Sequence, residues 1–320
     1  LVRMDRYPLI TVLTLSYNST YIYESIQSVL EQSYPHIEYI IVDDGSGAFC
    51  RDEICAYIKE HKGSNLEDYQ VIVHPQNLGT VKASNTGLTH SHGAYIFNLA
   101  ADDVFFDPDV LIKWTQEMIR RNSMIMTGRY AVYDEKMTEC KGLGPSDEEV
   151  WILESKSPKK IFRKLINANF IYGCCTARSR LLIENYGLYD ENYRLSEEYP
   201  AALSLSRQGI VIDYWEQPVV KYRQGGVSSP WRFNPDYERY SDKILIRDIL
   251  PYVNLKFYIK LRYYFWKLKR SQDSRFAYEY SQICGEKQNV KVIFLCFRYP
   301  IPTLRILKRK LSGKYKTTGR

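Results

Sequence analysis

The segment ITVLTLSYNSTYIYESIQSVLEQSYPHIEYIIVDDGS, residues 10–46, predicts a strand, a helix and a second strand. Residues 10–15 and 37–42 are apolar-rich runs of strand length. The residues between them carry apolar side chains at helical spacing, namely Ile22, Ile26, Val29 and Leu30. A helix that connects two neighbouring strands in this way crosses over the sheet, so the strands run parallel. The segment therefore predicts a βαβ unit.

The residues that follow repeat this alternation. The hydrophobic pattern predicts a helix over 51–62, a strand over 69–73, a helix over 81–88 and a strand over 95–100. Strands that alternate with helices, without heptads or internal repeats, are typical of a mostly parallel sheet covered by helices. We therefore predict the α/β fold class. The hydrophobic share of 45% and the charged share of 25% are those of an ordinary globular chain.

Polar residues follow three of the predicted strands, at the point where each strand ends. They are Ser16-Tyr17-Asn18, Asp43-Asp44-Gly45-Ser46 and Asp102-Asp103. Because ligands of α/β sheets bind at the carboxyl ends of the strands, we expect the three clusters to line one site. Adjacent carboxylates there can hold a hard divalent cation, which in turn binds phosphate. Asp and Gly are also ordinary turn residues, so a turn without a ligand is the simpler alternative.

Two common phosphate-binding motifs are missing from the sequence. No G-x-G-x-x-G follows the first strand, and no G-x-x-x-x-G-K-[ST] occurs in the chain. The phosphates of a nucleotide ligand would therefore be held through a metal ion.

Charge divides the chain into two parts. Residues 231–320 contain 21 Lys and Arg against 7 Asp and Glu, whereas residues 1–230 contain 23 against 30. We predict a catalytic domain over 1–230 and a basic, aromatic-rich, mainly helical C-terminal region over 231–320. No apolar run approaches the roughly 18 residues of a membrane span, and the N-terminus lacks a signal-peptide pattern. We expect a cytoplasmic protein.

The C-terminal region predicts basic amphipathic helices. Phe257, Leu261, Tyr264 and Leu268 share one helical stripe, and a second basic helix is predicted over 302–311. Such helices bind anionic membrane surfaces, which would place the protein at the inner face of the cell membrane. Packing of the stripe on the catalytic domain, or on a second copy in a homo-oligomer, explains it equally well. Nucleic acid is not expected as a partner, because no RNP, KH or zinc motif is present.

Five segments together resemble the successive motifs of the family 2 glycosyltransferases, which have the GT-A fold. The segments are TVLTLSYN (11–18), SVLEQSY (28–34), IIVDDGS (40–46), NLG with ASNTGL (77–79 and 83–88) and AADD (100–103). The resemblance covers roughly residues 8–230. It implies an inverting enzyme that transfers a sugar from a nucleotide-diphosphate sugar, usually a UDP-sugar, to a glycan or lipid-linked acceptor. It also implies a divalent cation, Mn²⁺ or Mg²⁺, and a role in bacterial polysaccharide or cell-surface glycan synthesis.

The resemblance assigns nucleotide-sugar-binding roles by position. Leu15 and Tyr17 would line the pocket for the base, and Asp44 would hydrogen-bond the uracil. Lys82 would approach the diphosphate or the base.

The carboxylate pair receives two different roles from the same resemblance. Asp102 would bind the ribose or the sugar, and Asp103 would bind the metal ion. Two departures from the family pattern lie nearby in the expected site. Gln224 stands where many relatives carry a His that helps to hold phosphate or metal, and Ser84 stands where the family often has Arg. Both departures predict a weaker dependence on metal or fewer contacts to the phosphates.

Inverting transfer needs a general base that takes the proton of the acceptor hydroxyl. All five histidines precede Asp102, so the half of the chain expected to bind the acceptor offers carboxylates. Glu198, in LSEEY at 195–199, stands where the family has its base, and Glu197 precedes it on the acceptor side. An acid at a helix start also complements the helix dipole, which is a purely structural reason for it. Cys174 lies in YGCCT, a segment that falls in the acceptor-side region of the family.

The base position carries Glu where the family carries Asp, so its carboxylate is one methylene further from the backbone. This departure and Gln224 keep two other functions open. One is a catalytically lapsed protein that binds nucleotide sugars or acts as a scaffold. The other is a nucleotidyltransferase on a related sheet, although the Gly-rich basic loop that such enzymes use is missing.

Overall fold

Residues 10–100 fold as the predicted alternation of strands and helices in a computed structural model, which describes residues 7–225, 235–264, 298–300 and 302. In chain order the elements are β1 (Ile10–Ser16), α1 (Ile22–Leu30), β2 (Ile37–Asp43), α2 (Arg51–His61), β3 (Leu66–Val73), α3 (Thr80–His90) and β4 (Tyr95–Ala100). The four strands pair in parallel in the order β3-β2-β1-β4. The predicted parallel sheet and its crossover helices are confirmed.

The second half of the chain extends the same sheet with strands of mixed direction. Its elements are β5 (Val104–Phe105), α4 (Val110–Arg121), β6 (Ile125–Tyr133), β7 (Cys140–Gly144), α5 (Asp147–Glu154), α6 (Pro158–Leu165), β8 (Thr176–Ser179), α7 (Arg180–Tyr186), α8 (Glu198–Arg207), β9 (Asp213–Arg223) and α9 (Pro235–Ile244). From β4 the order continues β8-β6-β9-β5, with β7 paired to β6. Strand β8 runs antiparallel to both β4 and β6, whereas β6 and β9 are parallel.

Helices cover both faces of the sheet, so its central strands are almost completely buried. Every residue of β2 is buried. On one face Trp114 is fully buried, with its ring centroid 5.1 Å from that of Phe97. On the other face α3 approaches β1 so closely that a Cβ at Gly87 would lie 2.2 Å from the Leu13 side chain. Helices therefore pack tightly against both faces of the sheet. The polar loops lie at the carboxyl edge of the strands.

The chain divides into two compact units, Leu1–Gln224 with Arg239–Ile249, and Gly225–Glu238 with Leu250–Arg320. In the second unit residues 256–264 are helical. The predicted apolar stripe is exposed there, with Phe257 at 80%, Leu261 at 45% and Tyr264 at 58% exposure. Leu268 and nearly all of the predicted helix over 302–311 lie outside the described residues. Among the helices that are described, none combines the length and apolar character needed to cross a bilayer.

Candidate active site

The loops after β1 and β2 are joined to each other at the carboxyl edge of the sheet. The carboxylate of Asp43 accepts hydrogen bonds from the backbone N–H of Ser46 at 2.8 Å and from the Ser46 hydroxyl at 2.6 Å. The Ser46 hydroxyl oxygen in turn accepts the backbone N–H of Asn18 at 2.6 Å. Asp43 is thus the turn-forming acid of the DDGS segment. Beside this junction the side chain of Tyr17 is half exposed and that of Leu15 is partly exposed.

Asp44 is buried and holds the loop that leads into α3. Its two carboxylate oxygens accept the backbone N–H groups of Leu78 at 2.8 Å and Gly79 at 2.7 Å. The Nδ1 atom of His74 lies 2.9 Å from the same carboxylate. Gly79 has φ +95°, and a Cβ there would lie 2.3 Å from the carbonyl oxygen of Arg194, so the loop requires glycine. Asp44 therefore has a structural task, and its contact with a nucleotide base stays a prediction.

Lys82 lies one turn into α3 and is exposed to solvent. Its cationic side chain is therefore available to a ligand at this end of the helix. Its predicted contact with a diphosphate or a base stays a prediction.

Asp103 directly follows β4 and is only 1% exposed. Its Oδ1 atom accepts the backbone N–H of Arg223 at 2.8 Å, whereas its Oδ2 atom is buried without a hydrogen-bond partner in the described part of the chain. Burial raises the pKa of the Asp103 carboxyl well above its usual range, and the neighbouring Asp102 charge raises it further. Burial also raises the pKa of Asp102. A bound cation would satisfy the unpaired oxygen and the two crowded carboxylates together.

The described residues contain no cluster of three or more His, Cys, Asp and Glu side chains that could hold a metal ion unaided. Mg²⁺ and similar cations are often held by one or two carboxylates together with substrate phosphates and water. The orphaned oxygen of Asp103, with Asp102 beside it, fits a cation of that kind. The residues fit a cation that binds together with a diphosphate, and they do not form a complete protein cage.

The second pair of acids lies at the start of α8. The carboxylate of Glu197 accepts a hydrogen bond from the Thr80 hydroxyl at 2.5 Å, and that of Glu198 accepts one from the Asn169 amide at 3.4 Å. Burial, and after it the charge of Glu197, raises the pKa of Glu198 to about 8, whereas the positive charge of Arg178 lowers it. A carboxyl group with a pKa near the working pH can both accept and release a proton.

A short helical turn, Gly173–Cys175, lies close to both acidic pairs. A Cβ at Gly173 would lie 3.9 Å from the Oε1 atom of Glu197. The charge on Cys175 raises the pKa of both Asp103 and Glu198, so the turn is close to both of them. The Cys174 thiol is partly buried, and its hydrogen bond with Cys175 and its burial raise its pKa, so it remains protonated.

Comparison with known proteins identifies the family. Residues 11–187, more than half of the chain, match the family model described as Glycosyl transferase family 2. The chain belongs to glycosyl transferase family 2. Its curated relatives include an uncharacterized glycosyltransferase of Haemophilus influenzae, 27% identical over 78% of this chain and 76% of that protein. A putative teichuronic acid biosynthesis glycosyltransferase of Bacillus subtilis, TuaG, is 30% identical over 68% of this chain and 79% of its own length.

Solved structures share the fold of this family 2 chain. The mannosyltransferase PcManGT of Pyrobaculum calidifontis, in complex with GDP-Man and Mn²⁺, aligns with 97% of this chain and 81% of its own, at 16% identity and a TM-score of 0.60. Residues 1–349 of TarS from S. aureus, in complex with UDP, align with 79% of this chain and 69% of that one, at 19% identity and a TM-score of 0.53. The chain spans 43% of a longer TarS structure. The predicted GT-A fold is confirmed.

Arg223 contacts the carboxylate pair of this family 2 chain, although no pattern in the sequence predicted a role for it. Arg223 ends β9 and is 2% exposed. Its Nε donates to the carbonyl oxygen of Asp102 at 2.8 Å, its Nη2 pairs with Glu24 at 2.6 Å, and its guanidinium carbon lies 3.9 Å from the ring centroid of Tyr21. Its charge lowers the pKa of both Asp102 and Asp103. A buried cation already lies behind the carboxylate pair.

Proposed function

We propose that this chain is an inverting glycosyltransferase that moves a sugar from a nucleotide-diphosphate sugar, with UDP as the expected nucleotide, to a hydroxyl of a glycan or lipid-linked acceptor. The observation that supports this most directly is the presence of two unlike carboxyl groups near the Gly173–Cys175 turn, whose Cys175 acts on the pKa of each. Asp103 has one buried oxygen without a hydrogen-bond partner among the described residues, whereas the pKa of Glu198 is raised to about 8. The first suits a cation on the leaving diphosphate, and the second suits a base for the acceptor.

Each residue of the site has one task in the proposed reaction. Leu15 and Tyr17 contact the base, and Asp102 hydrogen-bonds the ribose or sugar. Asp103 holds a divalent cation, which when bound neutralises charge on the leaving diphosphate. Glu198 takes the proton of the acceptor hydroxyl while its oxygen bonds to the anomeric carbon from the face opposite the leaving nucleoside diphosphate, and this displacement inverts the configuration.

Glu197 and Cys174 lie on the acceptor side of the proposed site. The hydrogen bond from Thr80 fixes the Glu197 carboxylate at the start of α8, next to the proposed base. A carboxylate that is held in this way can orient an acceptor hydroxyl. The description of TuaG in teichuronic acid biosynthesis supports an acceptor that belongs to a bacterial cell-surface glycan.

A thermal-shift panel tests this function without knowledge of the acceptor. We expect a UDP-sugar with Mn²⁺ or Mg²⁺ to raise the Tm by about 5 °C at a hundredfold excess over Kd, because a ligand bound only by the native state stabilises it. GDP-, CDP- and TDP-sugars serve as matched competitors.

The same panel separates the other two functions. Stabilisation by nucleoside triphosphates, with release of pyrophosphate, would support a nucleotidyltransferase and contradict our proposal. Binding of a nucleotide sugar without turnover, in the presence of any glycan or lipid-linked acceptor, would support a lapsed binding protein. Release of UDP that depends on an acceptor would exclude both.

We further propose that the C-terminal region holds the enzyme on the cytoplasmic face of an anionic membrane. The exposed stripe of Phe257, Leu261 and Tyr264 supports this, since such rings lie at headgroup depth with lysines outside. We expect a F257S/L261S/Y264S variant to float with anionic vesicles at least about fivefold less than the wild type. Unchanged flotation of this variant would contradict membrane contact. Unchanged flotation together with loss of a dimer would favour contact of the stripe with a second copy.

The control for the flotation experiment is a variant in another exposed apolar set. Leu181, Tyr186 and Leu188 are also large and exposed, and they belong to the first unit. An L181S/Y186S/L188S variant is expected to float like the wild type. Equal losses in both variants would contradict a specific role of the C-terminal stripe.

A further inference from the structure

The Arg223 side chain connects three segments at the carboxyl edge of the sheet. Its Nε atom donates to the carbonyl oxygen of Asp102 at 2.8 Å, and its Nη1 atom donates to the carbonyl oxygen of Glu135 in the turn between β6 and β7. Its Nη2 atom pairs with the Glu24 carboxylate, in the first turn of α1, at 2.6 Å. Each nitrogen of the buried guanidinium therefore has a partner on a different segment.

The same residue holds the turn that carries the carboxylate pair. Besides the bond to the Asp102 carbonyl, the backbone N–H of Arg223 donates to the Oδ1 atom of Asp103 at 2.8 Å. The backbone N–H of Asp103 donates to the carbonyl oxygen of Ala100 at 3.0 Å. The main chain of the turn and one oxygen of the Asp103 carboxylate are thus fixed. They set the position of the other oxygen, Oδ2, which has no hydrogen-bond partner among the described residues.

The groups that bind the guanidinium are themselves held in place. The turn that contains Glu135 is closed by the Asp134 carboxylate, which accepts the backbone N–H of Thr138 at 2.7 Å. The Tyr21 hydroxyl donates to the Glu135 carboxylate at 3.2 Å, and the centroid of the Tyr21 ring lies 3.9 Å from the guanidinium carbon. A cation at this distance from an aromatic ring is attracted to it. Arg223 therefore cannot move without breaking its contacts to several fixed segments.

We propose that Arg223 is a positioning residue, which holds the Asp102-Asp103 turn in the geometry that binds a divalent cation. A carboxylate that ligates a metal ion is usually oriented by hydrogen bonds from residues behind it, and loss of such a partner weakens metal binding. Arg223 is not a ligand itself, because a guanidinium has only donors to offer. The binding of a cation at this turn rests on the proposed function, whereas the contacts of Arg223 do not.

Charge and position make opposite predictions for Arg223. If only its positive charge mattered, removal of the side chain would strengthen the binding of a nearby cation, because like charges repel each other. If Arg223 positions the turn, its removal weakens that binding. Lysine adds a second distinction, since it keeps the charge but cannot reach three divergent acceptors as the planar guanidinium does. R223Q and R223K should therefore behave alike.

The dissociation constant of Mn²⁺ tests this role without turnover. It is measured by isothermal titration calorimetry on protein saturated with UDP, well below the Tm, and a titration into UDP alone is subtracted. We expect R223Q and R223K each to raise this constant by about 10- to 100-fold. An unchanged or lower constant in R223Q would overturn the proposal, and so would wild-type affinity in R223K. If the wild type itself bound no Mn²⁺ with UDP, both this proposal and the cation of the proposed function would be wrong.

The matched control is an arginine that contacts the opposite end of β9. Arg121 also pairs with an acid, Glu117, and its Nη1 atom donates to the carbonyl oxygen of Tyr214 at 2.9 Å. R121Q should lower the Tm in EDTA and leave the dissociation constant of Mn²⁺ unchanged. A rise in R121Q equal to that in R223Q would refute the proposal, because it would show a general effect of lower stability.

A milder pair of variants decides the question where R223Q and R223K do not fold. The Glu24 side chain is 55% exposed, so we expect the fold to tolerate its loss. E24A removes the partner of the Arg223 Nη2 atom and should raise the dissociation constant of Mn²⁺ at least about threefold. E31A removes an exposed acid at the other end of α1 and should leave the constant unchanged. Equal constants in E24A and the wild type would contradict the role of Arg223.

Discussion

Replacing Glu198 by glutamine is expected to lower the rate of sugar transfer by about 10²- to 10⁴-fold, while the nucleotide still binds. Glutamine has nearly the same shape but cannot take the proton of an attacking hydroxyl. The Glu198 carboxyl is partly buried, and the Asn169 amide donates a hydrogen bond to it at 3.4 Å. The measurement is UDP release in the presence and absence of acceptor. Retained thermal stabilisation by UDP shows that the donor site is intact.

The pH dependence of the wild-type rate carries the same information. A general base acts in its ionised form, and the pKa of Glu198 is raised to about 8. The value of kcat/KM is therefore expected to rise with pH through this pKa and to level off above it. This rising limb should be missing from the residual activity of E198Q.

Two matched variants complete this test. E198D keeps a carboxylate at the position, although on a shorter side chain, and should retain part of the activity. E184Q removes an exposed acid on α7 and should behave as the wild type. Full activity of E198Q would show that another group accepts the proton.

The order of strands and helices in the first hundred residues could be predicted because the relevant signals are local. Apolar periodicity distinguishes the buried strand β2 from the helix α1 within a few residues. The same locality explains why the acidic clusters were found at the carboxyl edge, since each directly follows its strand. The antiparallel insertion of β8 between β4 and β6 has no local signal, because it depends on which distant strands meet.

The site residues that sequence reasoning missed are held by long-range contacts. Arg223 pairs with Glu24, which lies 199 residues earlier in the chain, and no pattern near either residue indicates this. Arg178 lies in a four-residue strand, where an arginine would ordinarily be expected at the surface. For Asp44 the sequence indicated an acid at the edge of the sheet, but the partners of its oxygens depend on how the 74–79 loop folds. Residue type and position were predictable, whereas hydrogen-bond partners and burial were not.

Replacing Asp103 by asparagine is expected to have two opposite effects on thermal stability. Both effects should be larger than that of a substitution at an exposed residue. Without a metal ion, D103N should be more stable than the wild type, because it removes a buried carboxylate whose pKa is raised by burial and by Asp102. With Mn²⁺ and UDP, the thermal stabilisation expected for the wild type should be lost. The rate of transfer should fall by about 10²- to 10³-fold, since the developing charge on the diphosphate is no longer neutralised.

The direction of the second effect follows from the geometry of the carboxylate. The backbone N–H of Arg223 donates to Oδ1 at 2.8 Å, and as a donor it requires an oxygen at that position. The asparagine must therefore turn its NH₂ group to the place of Oδ2, the buried atom that has no partner among the described residues. An amide NH₂ is a donor and repels a cation, so a nearly isosteric change removes the ligand completely.

Measurements of Tm in EDTA, in Mn²⁺ alone, and in Mn²⁺ with UDP separate the two effects of D103N. D52N, which changes an exposed acid on α2, is the matched control and should follow the wild type in all three conditions. If D103N kept its Mn²⁺-dependent stabilisation by UDP, the cation would have to be held by other groups. The expected result is that D103N has a higher Tm than the wild type in EDTA and is not stabilised by Mn²⁺ with UDP. That result would show that the buried Asp103 carboxylate destabilises the fold and serves to bind a cation.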